Sequence, residues 1–233
     1  KNENFDLKNL FVLSMIPAAF SLLMFFKIKE KKTPRLVQVR EPFWMNIKKL
    51  DIQLKLYLVV AFLFTLGNSS NAFLLLRAKD VGFDNTTVIL LYFIYNITAS
   101  LFVIPAGRRS DQVGRKTSLV AGYIVFAIVY LGFALAFNKT IMVGLFVLYG
   151  IYTALTAGVE RAFIAEISPK HLKGTMLGLH STVVGVALLP ASIIAGLLWS
   201  TFGPKAPFLF GSGLSFAAAF ILYIYMKTNH INN

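Results

Sequence analysis

The sequence predicts an all-α fold, a polytopic helical membrane bundle, and three observations predict it. Seven apolar stretches, of 17, 21, 19, 20, 24, 25 and 20 residues, punctuate a chain of 233 residues that is 57% hydrophobic. Each is near the roughly 20 residues an α-helix needs to cross a hydrocarbon core of about 30 Å. Of the 33 charged residues, only Glu160 and Arg161 fall inside those stretches. Taking the loops as alternating sides, one side holds 17 Lys and Arg and the other six, an asymmetry that orients a membrane protein.

The stretches are apolar all round, unlike a soluble helix with one polar face. They lack the strict alternation over about ten residues of a membrane β-barrel. The first, Leu10–Phe26, has no basic-then-small start, so it does not read as a cleavable signal. The chain opens Lys1-Asn2-Glu3-Asn4 without an initiator Met and reads as a fragment or processed product. Next comes the basic connector Lys27–Lys55, with nine Lys and Arg. In it Phe43, Ile47, Leu50 and Leu54 recur at helical spacing, which predicts a short amphipathic helix at the membrane interface. A partly ordered linker is the alternative.

The second stretch is Leu56–Leu76, with Asn68 and Asn71 on one helix face; the third is Val88–Ala106, with Tyr92 and Asn96 on another. Ser118–Phe137 is the fourth. On the fifth, Ile141–Ile164, Tyr149, Thr153, Thr156 and Glu160 fall at i, i+4, i+7 and i+11. The sixth, Thr175–Trp199, carries His180 and a small-residue stripe, Gly178, Gly185, Ser192 and Gly196, with Pro190 among them. Pro207–Met226 is the seventh. Away from water each intramembrane polar group needs a partner or a hydrated cavity. These residues are therefore the substrate-path candidates, against the alternative of hydrogen bonds that only hold the bundle. Glu160, the one in-span acid, is the candidate for coupling to a proton gradient.

The net charge of +13 does not point to nucleic acid, because the basic residues are distributed by loop. The basic-rich side is then cytoplasmic, with the N-terminus of the chain outside and its C-terminus inside. Absence of cysteine removes disulfides and thiolate metal sites. Only His171, His180 and His230 occur, with no H-x-x-x-D, H-E-x-x-H or G-x-S-x-G, so no enzyme, metal or cofactor is expected.

Between the third and fourth stretches stands Pro105-Ala106-Gly107-Arg108-Arg109-Ser110-Asp111-Gln112-Val113-Gly114-Arg115-Lys116. Gly107 lets a helix end close to its neighbour, Asp111 is placed to cap a helix N-terminus, and Gly114 allows a tight turn. Arg115 and Lys116 suit the headgroup level. This order resembles the G-x-L-x-D-R-x-G-R-R/K loop of the Major Facilitator Superfamily. Gly107, Asp111, Gly114, Arg115 and Lys116 match, while Arg109 and Gln112 depart, as in the more degenerate second copy of that loop. Glu160-Arg161-Ala162-Phe163-Ile164-Ala165-Glu166-Ile167-Ser168-Pro169, with Lys173-Gly174-Thr175 beyond it, resembles the family's passage from tenth to eleventh helix. There Pro169 suits a helix boundary and Gly174 a turn.

The resemblance implies that the seven stretches are the family's sixth to twelfth helices. Residues 1–26 would then be a preceding transmembrane helix, 27–55 the central connector, and 56–233 the C-terminal six-helix half. It implies a secondary active transporter of a small solute, drug-exporter-like or of uncharacterised substrate, in a prokaryotic plasma membrane. Its partners are the lipid bilayer, a small-molecule substrate and the missing N-terminal half. Gly107, Asp111, Gly114, Arg115, Lys116, Arg161 and Glu166 would form its conformational gate. The alternative is a seven-helix receptor or sensor, which shares the span count.

Overall fold

The computed structural model describes residues 51–229 and, before them, 12, 15–17 and 19–24. The chain divides into two units, 1–48 and 49–233. In the first, the described residues are helical. The rest of the first apolar stretch, and Phe43, Ile47 and Leu50 of the expected interfacial helix, lie outside the described residues.

The second unit is built from α1 (Ile52–Gly67), α2 (Ala72–Asp80), α3 (Asn85–Val113), α4 (Arg115–Leu135), α5 (Lys139–Ile167), α6 (Lys173–Phe202) and α7 (Ala206–Asn229). With α1 and α2 taken together, six spans are long and apolar enough to cross a membrane. Leu54 lies in the first turn of α1 and is buried, so it belongs to the first span of this unit. Short polar side chains start three helices. Asp51 accepts from Gln53 N, Asp84 from Thr86 N and Thr87 N, and Asn138 from Ile141 N, satisfying amides that have no partner within the helix.

The bundle is organised around α4. Its Tyr123, Phe126, Tyr130 and Phe133 are fully buried. Their rings contact, stacked, tilted or edge-on, those of Phe64 of α1, Tyr149 and Tyr152 of α5, and Phe208 of α7. Lipid tails are as apolar as these rings, so the bundle gains from close packing and interhelical hydrogen bonds rather than from water exclusion. Ser212 and Ser215 of α7 supply two such bonds, donating to Ala127 O at 2.7 Å and Tyr123 O at 2.8 Å. The backbones of α3 and α5 come close at Gly150, where an added Cβ would sit 2.7 Å from Tyr95 O. The least enclosed spans are α3 and α6, whose exposed faces carry Ile89, Phe93, Ile97 and Leu101, and Val186, Leu189, Ile193 and Leu197.

Candidate functional site

The Gly107–Lys116 segment differs from its sequence expectation in three respects, at the end of the span, at Gly107 and at Asp111. The third span does not end at Gly107; α3 runs through Pro105 and Gly107 to Val113. Gly107 therefore sits inside a helix with nothing within 4 Å of a would-be Cβ, and makes no close helix approach among the described residues. Asp111 likewise lies in the last turn of α3 instead of at a helix N-terminus. The intervening Arg108, Arg109 and Gln112 are good helix formers, which is why the helix continues. Gly114 makes the whole turn. Its φ of +90° ends α3 and starts α4 in one residue, a conformation glycine adopts without Cβ strain.

That single-residue turn brings the charges together. Arg115 Nη2 lies 3.2 Å from Asp111 Oδ1, and its Nε lies 2.7 Å from Glu166 Oε2 in the last turn of α5. Lys116 stands 6.0 Å over the Phe163 ring. One guanidinium thus links α3, α4 and α5 at the same end of the bundle. Beside it is a cavity of about 210 Å³ lined by Gly107, Ser110, Asp111, Arg115, Gly158 and Ala162, among others. Arg161 is exposed and makes no ion pair among the described residues. At the end of α5 the helix stops at Ile167, before Pro169; Gly174, expected as a turn, is in the first turn of α6. Leu172 makes that start instead, so no glycine turn is needed.

The stretch Leu56–Leu76 is not one helix. It breaks at residues 68–71, between α1 and α2. Asn68 and Asn71 flank the break instead of sharing a face of one continuous helix, and each finds a tyrosine on α5. Asn68 Nδ2 donates to Tyr152 Oη at 3.0 Å, and Tyr149 Oη donates to Asn71 Oδ1 at 2.8 Å. Both amides are partly buried, where hydrogen-bonding side chains compensate for the interrupted backbone.

The remaining polar positions are satisfied in different ways. Thr153 and Thr156 donate to Tyr149 O and Tyr152 O of their own helix. Asn96, which is exposed, donates to Tyr92 O at 2.7 Å, and Tyr92 is 38% exposed. Glu160 accepts from Tyr123 Oη at 3.2 Å. His180 is buried, stacks on Tyr57 with centroids 6.0 Å apart, and its Nε2 has no hydrogen-bond partner. Tyr149, Thr156 and His180 therefore face into this bundle, whereas Tyr92 and Asn96 face out of it.

Sequence reasoning missed Tyr152 and Tyr123, which partner Asn68 and Glu160, because phenols on an apolar span carry no pairing signal. It also counted Arg77 as a loop charge, yet Arg77 is buried in α2. Gly178, Gly185 and Gly196 of the small-residue stripe have nothing within 4 Å of a would-be Cβ. Outside the spans, Asp84 accepts from the Thr87 hydroxyl at 2.6 Å and from two amides, and these bonds hold its carboxyl below the ordinary range, the hydroxyl most strongly.

Known proteins bear on this arrangement. The family description of the Major Facilitator Superfamily matches residues 56–232. The chain is 37% identical over 224 residues to Uncharacterized MFS-type transporter MJ1317 of Methanocaldococcus jannaschii, covering 94% of this chain and 56% of that protein. It is 25% identical over 146 residues to Quinolone resistance protein NorA of Staphylococcus aureus, covering 63% and 37%. A likeness in fold links it to the solved structure of the human organic anion transporter MFSD10 (TETRAN). The TM-score is 0.67 at 19% identity, over 73% of this chain and 40% of that one. The chain spans about half the length of the first of these relatives. The matched family and the two relatives named as transporters favour neither the receptor nor an enzyme. An integral, multi-pass membrane protein with this matched segment belongs to the Major Facilitator Superfamily.

Proposed function

We propose that the chain is the C-terminal portion of a secondary active transporter that moves a small solute by alternating access. Residues 1–26 close an N-terminal half, 27–55 connect the halves in the cytoplasm, and 56–233 form the second half. The partner half, absent from this chain, supplies the other wall of a midplane path. The N-terminus of the chain is outside and the C-terminus cytoplasmic, in a prokaryotic plasma membrane, as the 17-to-6 basic asymmetry supports.

One observation supports this reading: Arg115 ties the ends of α3, α4 and α5 together at one end of the bundle, the basic end that this reading assigns to the cytoplasm. An ion pair that joins spans at one end weights a two-state equilibrium toward the conformation in which that end is closed. Gly107, Asp111, Gly114, Arg115, Lys116, Arg161 and Glu166 are the gate. Tyr92 and Asn96, which face out of this bundle, line the path; Asn68, Asn71, Thr153 and Glu160 border it part-buried, and Tyr149, Thr156 and His180, buried in this half, support it from within. Glu160 is the group that takes up a coupling proton. The transporter is drug-exporter-like or of uncharacterised substrate, and the likeness to the quinolone resistance protein supports the first.

The test is flux in proteoliposomes of the full-length protein, with an imposed proton gradient and a fluorinated quinolone or lipophilic dye as cargo. Gradient-driven flux abolished by Glu160→Gln and altered by Glu166→Lys is expected. Gradient-driven flux that both variants leave intact overturns the gate and the coupling assignment. Labelling of single cysteines at Lys139 and Lys170 from opposite sides tests the orientation.

A further inference from the structure

We propose that Arg77 is a lock holding α2 against the end of α4, and that its release lets α2 swing about the break at residues 68–71. A cationic side chain near the end of a span ordinarily reaches outward to the headgroups. Arg77 turns inward instead and is 4% exposed. Its Nε donates to Phe133 O at 2.9 Å, and its Nη2 to Ala136 O at 2.9 Å and Ala134 O at 3.4 Å. Its Nη1 pairs with Asp80.

The acceptors explain the fit. The last carbonyls of a helix have no partner within it and carry the negative end of its dipole. In α4, Gly132 O is taken by Ala136 N. The carbonyls of Phe133, Ala134 and Ala136 fall to Arg77, whose planar fork reaches all three. With those donors engaged and Asp80 balancing the charge, the guanidinium is committed to protein groups, which argues against a role as an anion-binding residue.

What makes this a lock is how little else holds α2. It has nine residues, too few to persist as an isolated helix. Only Leu74, Arg77 and Ala78 of it are buried, and its other side-chain ties are Ser70 Oγ, which accepts from Ala72 N at 3.3 Å, and the Phe73 ring, 6.0 Å from that of Trp199 on α6. Both of its ends are joints: the break at 68–71 on one side, and on the other a turn through Gly82, with φ of +97°. The Tyr149–Asn71 bond restrains the first joint, and Arg77 fastens the segment beyond it. This inference does not depend on the transport reading.

Residues 1–233 contain no cysteine, so single reporters are clean once any cysteine elsewhere in the full-length protein is replaced by serine. One is placed at Ala78 on α2 and a control at Ala127 on α4, both 0% exposed, in the full-length protein in membranes. Maleimide should spare both in the parent. With Arg77→Met, labelling at 78 should rise by about ten-fold while 127 stays protected, because opening is local. Arg77→Lys, which keeps the charge without the fork, should fall between. Unchanged labelling at 78 overturns the proposal, and so does labelling that rises equally at 127. If Arg77→Met does not accumulate, Asp80→Asn is read by the same pair, with a smaller rise at 78 alone expected and no rise overturning it. Hydrogen exchange across residues 72–80 provides the second readout, faster exchange confined to α2 being the expected result and none the contrary one.

Discussion

Arg115 Nε lies 2.7 Å from Glu166 Oε2, joining the first residue of α4 to the last turn of α5. The two side chains are 30% and 60% exposed, and solvent-exposed pairs contribute only about 0–1 kcal/mol to stability. On that scale the pair adds little to the stability of the bundle.

Glu166→Lys should leave the melting temperature nearly unchanged while raising access of a water-soluble thiol reagent to a cysteine at Gly158, on the cavity beside Arg115. Combining it with Arg115→Glu should restore only part of the protection. The swap rebuilds the pair with residue 166 but sets a second acid beside Asp111. Full restoration would mean that Asp111 plays no part.

Gly150→Ala should destabilise the protein by about 1–3 kcal/mol, the usual cost of overpacking. The new methyl would lie 2.7 Å from Tyr95 O, a backbone atom on α3 that cannot turn aside. Gly144→Ala, on the same helix with nothing within 4 Å, should instead be neutral or stabilising by up to about 1 kcal/mol. Thermal unfolding in detergent compares them directly.

A double-mutant cycle on Asn71 and Tyr149 should return a coupling of about 0.6 kcal/mol, and no more than about 1.7, as for hydrogen bonds between membrane helices. Asn71→Ala alone leaves a buried phenol without its acceptor, so adding Tyr149→Phe should recover part of the loss. A cycle on Asn71 and Tyr152 should show no such coupling, because Tyr152 is the partner of Asn68.

The start of α3 should loosen in acid. The Asp84 carboxylate is held below its ordinary range by the Thr87 hydroxyl and the amides of Thr86 and Thr87. Its stabilising effect is therefore fully present above the unfolded value of about 3.9 and is lost as pH falls through the lower folded value. Hydrogen exchange at Thr86 and Thr87, corrected for intrinsic rate, should show protection lost in that window. Asp84→Ala should abolish the pH dependence and leave those amides unprotected throughout.

Much of the fold is legible in the amino-acid order because membrane helices must be long, apolar and free of charge. Ser118–Phe137 predicts α4 closely, and Gly114 predicts its turn for a stated steric reason. The break at 68–71 is not legible that way. Asn68, Ser69 and Ser70 are tolerated within a span, and hydropathy averaged over a window does not register where a backbone changes direction. Arg77 is misread for a related reason: a basic residue just past an apolar run looks like a headgroup anchor until the carbonyls of α4 are seen beside it. Pairings such as Asn68 with Tyr152, 84 residues apart, depend on packing between helices that no local pattern encodes. The Arg115–Glu166 pair sits between these cases, since opposite charges in neighbouring short loops anticipate it.

The two serine bonds from α7 to α4 set an order of events during synthesis. Tyr123 and Ala127 emerge and enter the bilayer 92 and 85 residues before Ser215 and Ser212, which donate to their carbonyls. Through that interval the aromatic side of α4 that Phe208 will cover meets lipid or whatever insertion machinery attends it. Contacts of such sequence separation are slow to form. The centre of this half is thus finished from its far end, and a chain cut before residue 206 would keep the first five spans of the second unit with the middle one, α4, still open on one side.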